Sequence, residues 1–145
     1  MSFNNLKIRI KKNEGYSSKP YKDQLGFYTI GYGHLIREKE DKYFIKKYNK
    51  THFEKLFEKD FKKAESQYKK NFLKKTHTAS EKELLIEMIF QLGVLGVLRF
   101  KKMLYFLNKK QKFMASLEML DSLWYLQTPG RVKNLIKNYL KNNGR

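Results

Sequence analysis

The sequence predicts a mainly helical α+β domain carrying one small sheet. Three observations lead there. Aromatic and β-branched residues among turn formers occur convincingly in one stretch only, Tyr21 to Leu35 (YKDQLGFYTIGYGHL). From Thr51 to the end, apolar residues recur at helical spacing. No repeat and no low-complexity linker divides the 145 residues, a length that suits one domain, or one domain of two lobes.

Phe3, Leu6 and Ile10 form a helical stripe that Glu14 continues, and Gly15 supplies a stop signal. Asp23 and Gly26, followed by FYTI, predict a hairpin or bent strand pair over 21–35. Residues 36–50 are polar and lysine-rich and read as a loop or short connection. Thr51 to about Lys75 sets Phe53, Leu56, Phe57, Phe61, Ala64 and Tyr68 on one helical face. Ser80 to Glu83 has the S-x-x-E form of a capping box and opens an apolar helix through Leu92. Gly93 and Gly96 interrupt that helix, and pieces over about 97–108 and 111–121 follow. Thr128-Pro129 reads as an N-cap and first residue of a last helix. That helix sets Val132, Leu135, Ile136, Tyr139 and Leu140 opposite Lys133, Lys137 and Lys141.

The absence of cysteine excludes disulfide frameworks and thiolate metal sites. Hydrophobic residues at 41% and aromatics at 15% argue against disorder, despite a charged fraction of 32%. The opening MSFNNLKIRIKKNE holds no uninterrupted apolar stretch, so it does not read as a secretory signal. Leu84 to Phe100, broken by Glu87, Gln91 and Arg99, falls short of the ~20 residues of a membrane span and reads as a buried helix. Thirty-two bases against fourteen acids give +18 and a pI near 9.9. Such a field favours an anionic partner.

Acids are scarce, so their positions inform. The first 37 residues hold two, Glu14 and Asp23, against seven bases. Glu14 continues an apolar stripe, a setting that disfavours the charged form of a carboxyl; Asp23 falls in a polar turn where a carboxylate stays ionised. Two carboxyls in contrasting environments are what glycoside hydrolysis requires. A frayed helix end and a turn former would look the same in isolation.

The segment NEGYSSKPYKDQLGFYTIGYGHL, with Glu14, Asp23 and Thr29, resembles the active-site region of the phage-type lysozymes, the T-even phage endolysin family of glycoside hydrolases. The resemblance continues in IFQLGVLGVLRF at 89–100 and SLWYLQTPGRVKNLI at 122–136, so it covers nearly the whole chain in the family's order. It implies a two-lobed lysozyme-like fold: a small, reduced β lobe at about 15–50, a bridging helix at about 51–75, and a larger helical lobe from 1–13 plus 76–145. It implies Glu14 as general acid, Asp23 as the carboxylate on the opposite face of the sugar, and Thr29 as the hydroxyl that helps hold the attacking water. The reaction implied is inverting hydrolysis of the β-1,4 bond between N-acetylmuramic acid and N-acetylglucosamine in peptidoglycan, with neither metal nor cofactor. Tyr28, Gly33, Leu35, Phe90 and Gln91 match substrate-binding positions, although Phe90 suits core packing equally. Tyr21 and Phe100 match cleft-lining or hinge-side positions.

In a supporting role, Arg131 matches the family arginine that approaches the catalytic glutamate, and His34 matches a structural histidine whose partner is Asp60. His52 and His77 lack ligand spacing, so metal binding is not expected. The stretch between Leu35 and Leu56 is about a dozen residues shorter than in the family's longer members, which implies a stripped-down small lobe. The partner expected is bacterial peptidoglycan, with anionic envelope polymers or lipids drawn to the basic surface. Residues 88–145 alone carry eleven bases and two acids, and the last fifteen residues five bases and no acid. No nucleic-acid-binding motif is present and arginine is rare, so no specific nucleic acid is expected. The protein is expected to be a monomer, made in the host bacterial cytoplasm and acting on the wall in the periplasm or outside after release. Two alternatives share these residues: a lysozyme-shaped binder without catalysis, and a lytic transglycosylase.

Overall fold

A computed structural model describes residues 3–141. Arg145, one of the five bases at the C-terminus, lies outside them. The described residues form eight α-helices and one three-stranded antiparallel sheet, a mainly helical α+β fold. By its internal contacts the chain divides into two compact units, Met1–Lys63 and Ala64–Arg145. Helix α1, placed above with the helical lobe on the strength of the resemblance, groups with the first.

In the first unit, α1 (Asn4–Glu14) buries Leu6 and Ile10 and ends where the Gly15 amide donates to the Lys11 carbonyl at 3.0 Å. Three strands follow: β1 (Ser17–Lys22), β2 (Tyr28–Gly31) and β3 (His34–Leu35), in the order β1-β2-β3. Strand β1 begins four residues before the predicted start at Tyr21. Between the pairs Ser17–Gly31 and Tyr21–Thr29 its register is irregular, and Pro20, which cannot donate to a ladder, sits in that irregular stretch. Of the SSKP run only Ser17 has a partner across the ladder, Gly31.

Residues 36–50 are not a plain loop. A 3-10 turn (Glu38–Glu40) and a short α2 (Lys42–Ile45) lie within them, and α2 brings Tyr43 into a buried cluster with Ile30 and Phe53. Helix α3 (Lys50–Asn71) ends before the expected Lys75, and the division between the units falls inside it. Its first half carries two glutamates four residues apart, and α1 carries two lysines at the same spacing. Lys7 pairs with Glu58 at 2.9 Å and Lys11 with Glu54 at 2.5 Å. The Tyr32 hydroxyl donates to the other Glu54 oxygen at 2.6 Å. Burial and then the Glu54 hydrogen bond push the Tyr32 phenol up to about 12, while the bonds from Lys11 and Tyr32 hold Glu54 below the usual carboxylate range.

In the second unit, α4 (Ala79–Leu98) is capped two residues earlier than the sequence suggested, at Thr78 in place of Ser80. Two T/S-x-x-E patterns overlap here, and the first is used: Thr78 Oγ1 accepts from the Glu81 amide at 3.3 Å, and Glu81 Oε1 accepts from the Thr78 amide at 2.8 Å. The choice has a packing reason: Glu81 is buried, and the same Oε1 accepts from Lys110 Nζ at 2.7 Å. Gly93 breaks the helix as expected, with φ +77° and ψ 158°, a conformation closed to most L-residues. Gly96 does not break it. Helices α5 (Lys101–Asn108), α6 (Lys112–Leu120), α7 (Leu123–Gln127) and α8 (Pro129–Lys141) complete the unit. Phe100 separates α5 from α4, so the piece expected over 97–108 is split, and α7 adds a short helix that the sequence reading did not resolve. Leu85, Ile86, Met88, Met103, Leu107, Met119, Val132 and Tyr139 are among the fully buried core side chains. No helix of the described residues is long and apolar enough to cross a membrane.

Candidate active site

Glu14 is the last residue of α1, half-buried, with Gly15 ending the helix behind it. Gly33, in the turn between β2 and β3, lies directly against its side chain. A Cβ on Gly33 would stand 2.5 Å from Glu14 Oε1 and 2.7 Å from its Cδ, and Gly33 has φ +78°. The carboxyl therefore rests on bare backbone, and only glycine leaves it that room.

The Asp23 turn is built by its own side chain. Oδ1 accepts from the Leu25 and Phe27 amides, both at 2.9 Å, and the Asp23 amide donates to the Phe27 carbonyl at 2.8 Å. Both side-chain bonds use Oδ1, and among the described residues Oδ2 accepts none. Thr29, 5% exposed, donates its hydroxyl to the same Phe27 carbonyl at 3.1 Å. A hydroxyl that donates to backbone keeps its lone pairs for an incoming donor such as water. One carbonyl thus ties the carboxylate turn to the threonine.

Tyr21 links the two acids. It pairs with Thr29 across the ladder, and its phenol is pushed up by burial first, then by the negative charges of Glu14 and Asp23. Leu35 pairs with Thr29 from the other side and is 47% exposed; Tyr28, 45% exposed, packs edge-on against Phe44 at 5.1 Å.

His34 Nδ1 lies 2.7 Å from Asp60 Oδ2, and its Nε2 lies 3.1 Å from both Glu40 oxygens. Burial lowers the His34 pKa, but the bonds and charges of Asp60 and Glu40 together outweigh it, and the net shift is upward. Glu40, kept below its usual range by the Arg37 amide and His34 against its own burial, was not singled out in the sequence; the signal was the Arg37-to-Glu40 cap beside the histidine. Because the folded-state pKa lies above the unfolded value, this stabilisation is complete below about pH 6.5 and fades as pH rises through the folded-state pKa. His34→Asn is therefore expected to lose about 1–3 kcal/mol of stability at pH 5.5 and clearly less at pH 9. Thermal melts of both proteins at the two pH values check this; an equal loss at both would remove the charged histidine from the account.

Among the other matched positions, Phe90, Gln91 and Arg131 belong to the second unit and are half-buried. Gln91 is held there by both ends: Oε1 accepts from Trp124 Nε1 at 3.0 Å, and Nε2 donates to Thr128 Oγ1 at 3.4 Å. Trp124 is buried, which makes it a packing residue, and its ring meets that of Phe100 edge-on at 5.8 Å. His52 bonds the Tyr43 hydroxyl at 2.8 Å, and His77 bonds Tyr68 at 2.6 Å and Asn108 at 3.0 Å. Among the described residues no group of three acids or histidines is placed to hold a metal ion.

A short antiparallel sheet that holds an aspartate turn and a buried threonine beside a helix-end glutamate, with a larger helical unit in the same chain, defines the lysozyme-like α+β class. The family model for phage lysozyme matches residues 11–138, and the chain belongs to that family. It is similar to two proteins of Dictyostelium discoideum described as "Probable T4-type lysozyme 2" and "Probable T4-type lysozyme 1". They are 32% and 33% identical to it over 154 residues, covering 90% of this chain and 91% of each relative. Family membership supports a lysozyme-type glycoside hydrolase with peptidoglycan as its substrate.

Gly33→Ala separates position from stability at this site. The added methyl meets the Glu14 carboxyl, which must give way, and the positive φ costs about 1–2 kcal/mol. Displacing the carboxyl by roughly an ångström is expected to cost about 10- to 100-fold in glycan cleavage. Initial rates and melting temperature, measured together, check this; a variant with full activity would show that the carboxyl works from elsewhere.

Proposed function

We propose that this protein cleaves the β-1,4 bond between N-acetylmuramic acid and N-acetylglucosamine with inversion at the anomeric carbon. Glu14 donates its proton to the leaving glycosidic oxygen. Asp23 takes a proton from water, Thr29 accepts a hydrogen bond from that water, and the oxygen attacks the opposite face of the sugar. The products are two free chain ends, with Glu14 left ionised and Asp23 protonated until solvent exchange resets them. The observation that carries the reading is the sheet geometry: the Glu14 carboxyl rests on Gly33 just beyond the end of strand β2, and Thr29 of that strand is fixed to the Asp23 turn through the Phe27 carbonyl.

The biological setting that suits this chemistry is lysis of bacteria by a phage endolysin, a monomer made in the host cytoplasm and acting on the wall after release. The basic surface would concentrate the enzyme on wall and membrane polyanions. Purified peptidoglycan is digested and the new sugar ends are analysed. Reducing ends formed with inverted configuration support the proposal. Anhydro-sugar ends would make the protein a lytic transglycosylase, and no release of fragments at any enzyme concentration would leave a wall binder.

A further inference from the structure

Helix α6 is apolar on two opposite sides. Ala115, Ser116 and Met119 are buried, whereas Phe113, Leu117 and Leu120 are 69%, 41% and 38% exposed. The second set recurs at i, i+4 and i+7, so it forms a stripe along the helix. Helix α7 is tied to the end of α6: the Ser122 hydroxyl donates to the Met119 carbonyl at 2.5 Å and accepts from the Tyr125 amide at 3.1 Å. It buries Trp124 and exposes Leu123 and Leu126 at 68% and 75%. A helix face turned to solvent ordinarily carries polar residues. A single exposed leucine needs no explanation; six large apolar side chains within fourteen residues, Met114 included, do.

The neighbouring charge narrows what covers this face. From Met88 to Leu117 the chain holds six bases, Arg99, Lys101, Lys102, Lys109, Lys110 and Lys112, and no acid. Lys101, Lys102 and Lys109 are exposed on or beside α5, which packs on α6. The acids of the following stretch are Glu118, half-buried, and Asp121. A second copy of the chain would bring +18 against +18. An apolar stripe beside exposed lysines instead suits a surface that is greasy beneath and anionic above.

We propose that the α6–α7 face docks the protein on anionic lipid bilayers. Its phenylalanine and leucines enter the headgroup boundary, and the lysines of α5 meet lipid phosphates. This binding does not depend on glycan cleavage, and none of its residues belongs to the Glu14–Asp23 site.

The test is flotation with vesicles of phosphatidylcholine alone and of phosphatidylcholine with 30% phosphatidylglycerol (about a third anionic lipid), at near-physiological salt. Wild type is expected to bind the anionic vesicles about tenfold or more above the neutral ones, and Phe113→Ser/Leu117→Ser/Leu123→Ser is expected to lose about tenfold of that. Leu123→Ser/Leu126→Ser, which leaves α6 untouched, is expected to show a smaller loss and serves if the triple variant does not fold. Peptidoglycan cleavage by folded variants should be unchanged. Wild type that ignores both vesicles, or binds both alike, overturns the proposal. So do folded variants that bind like wild type, which would leave charge as the cause. So does a solution mass for wild type twice that of the variants, which would show a second copy covering the face.

Discussion

Glu14→Gln is expected to lower the rate of peptidoglycan cleavage by about a thousandfold or more while the protein remains folded. The amide has nearly the shape of the carboxyl, so it can occupy the same space over Gly33, where no Cβ competes for it. It keeps the ability to hydrogen-bond the leaving oxygen and loses the transferable proton. Helix α1 ends at this residue through the Gly15 amide and the Lys11 carbonyl, a bond that does not involve the side chain. Circular dichroism should therefore report an unchanged fold while the rate of new reducing ends collapses. Residual activity within tenfold of wild type would take the general-acid role away from Glu14.

Asp23→Asn is the second large effect, and its value lies in comparison with Asp23→Ala. Asparagine can present the same oxygen to the Leu25 and Phe27 amides, so the turn survives and only the charge is removed. Alanine removes both. If the anion activates water, the two variants lose activity alike, by about a hundredfold or more, while alanine alone also loses stability, by about 1 kcal/mol. An asparagine variant with near-normal turnover would mean that Asp23 serves only to shape the turn holding Thr29. Initial rates and melting temperatures of both variants decide between these.

Much of this site was legible because its parts are local. Glu14 followed by Gly15 announces a helix end, and Asp23 with Gly26 announces a turn, each from residues within a few positions. The expected helical stripe through Phe53, Phe57 and Phe61 follows from periodicity, and those three residues are buried. What escaped the sequence involves choice or distance. Thr78 and Ser80 each begin a valid capping pattern, and only the burial of Glu81 against Lys110 selects the first. Strand β1 starts at Ser17, earlier than the local β signal at Tyr21, because its partner Gly31 lies across the sheet and not nearby in the chain. Tyr32 joins Glu54 across twenty-two residues, and no local pattern announces that bond. The matched lysine and glutamate spacings on α1 and α3 were visible as separate facts; what sequence lacked was the register that sets Lys7 against Glu58 and Lys11 against Glu54. The apolar stripe of α6 was legible as hydrophobicity but not as exposure, since periodicity shows a face and not what covers it.

Helix α1 is fastened unevenly, and this matters for the residue it ends on. Phe3 offers its first turn no side-chain cap, and no acid sits there to meet the helix dipole. Glu58 holds Lys7 at the close of that turn, and Glu54 holds Lys11 in the last one. Fraying should accordingly begin at Asn4 and travel toward the carboxylate, so amide protons of the opening turn would trade with solvent long before those near Asn13. The proton donor sits at the anchored end of its own helix, and warming would slacken the far end while the working end still holds its aim.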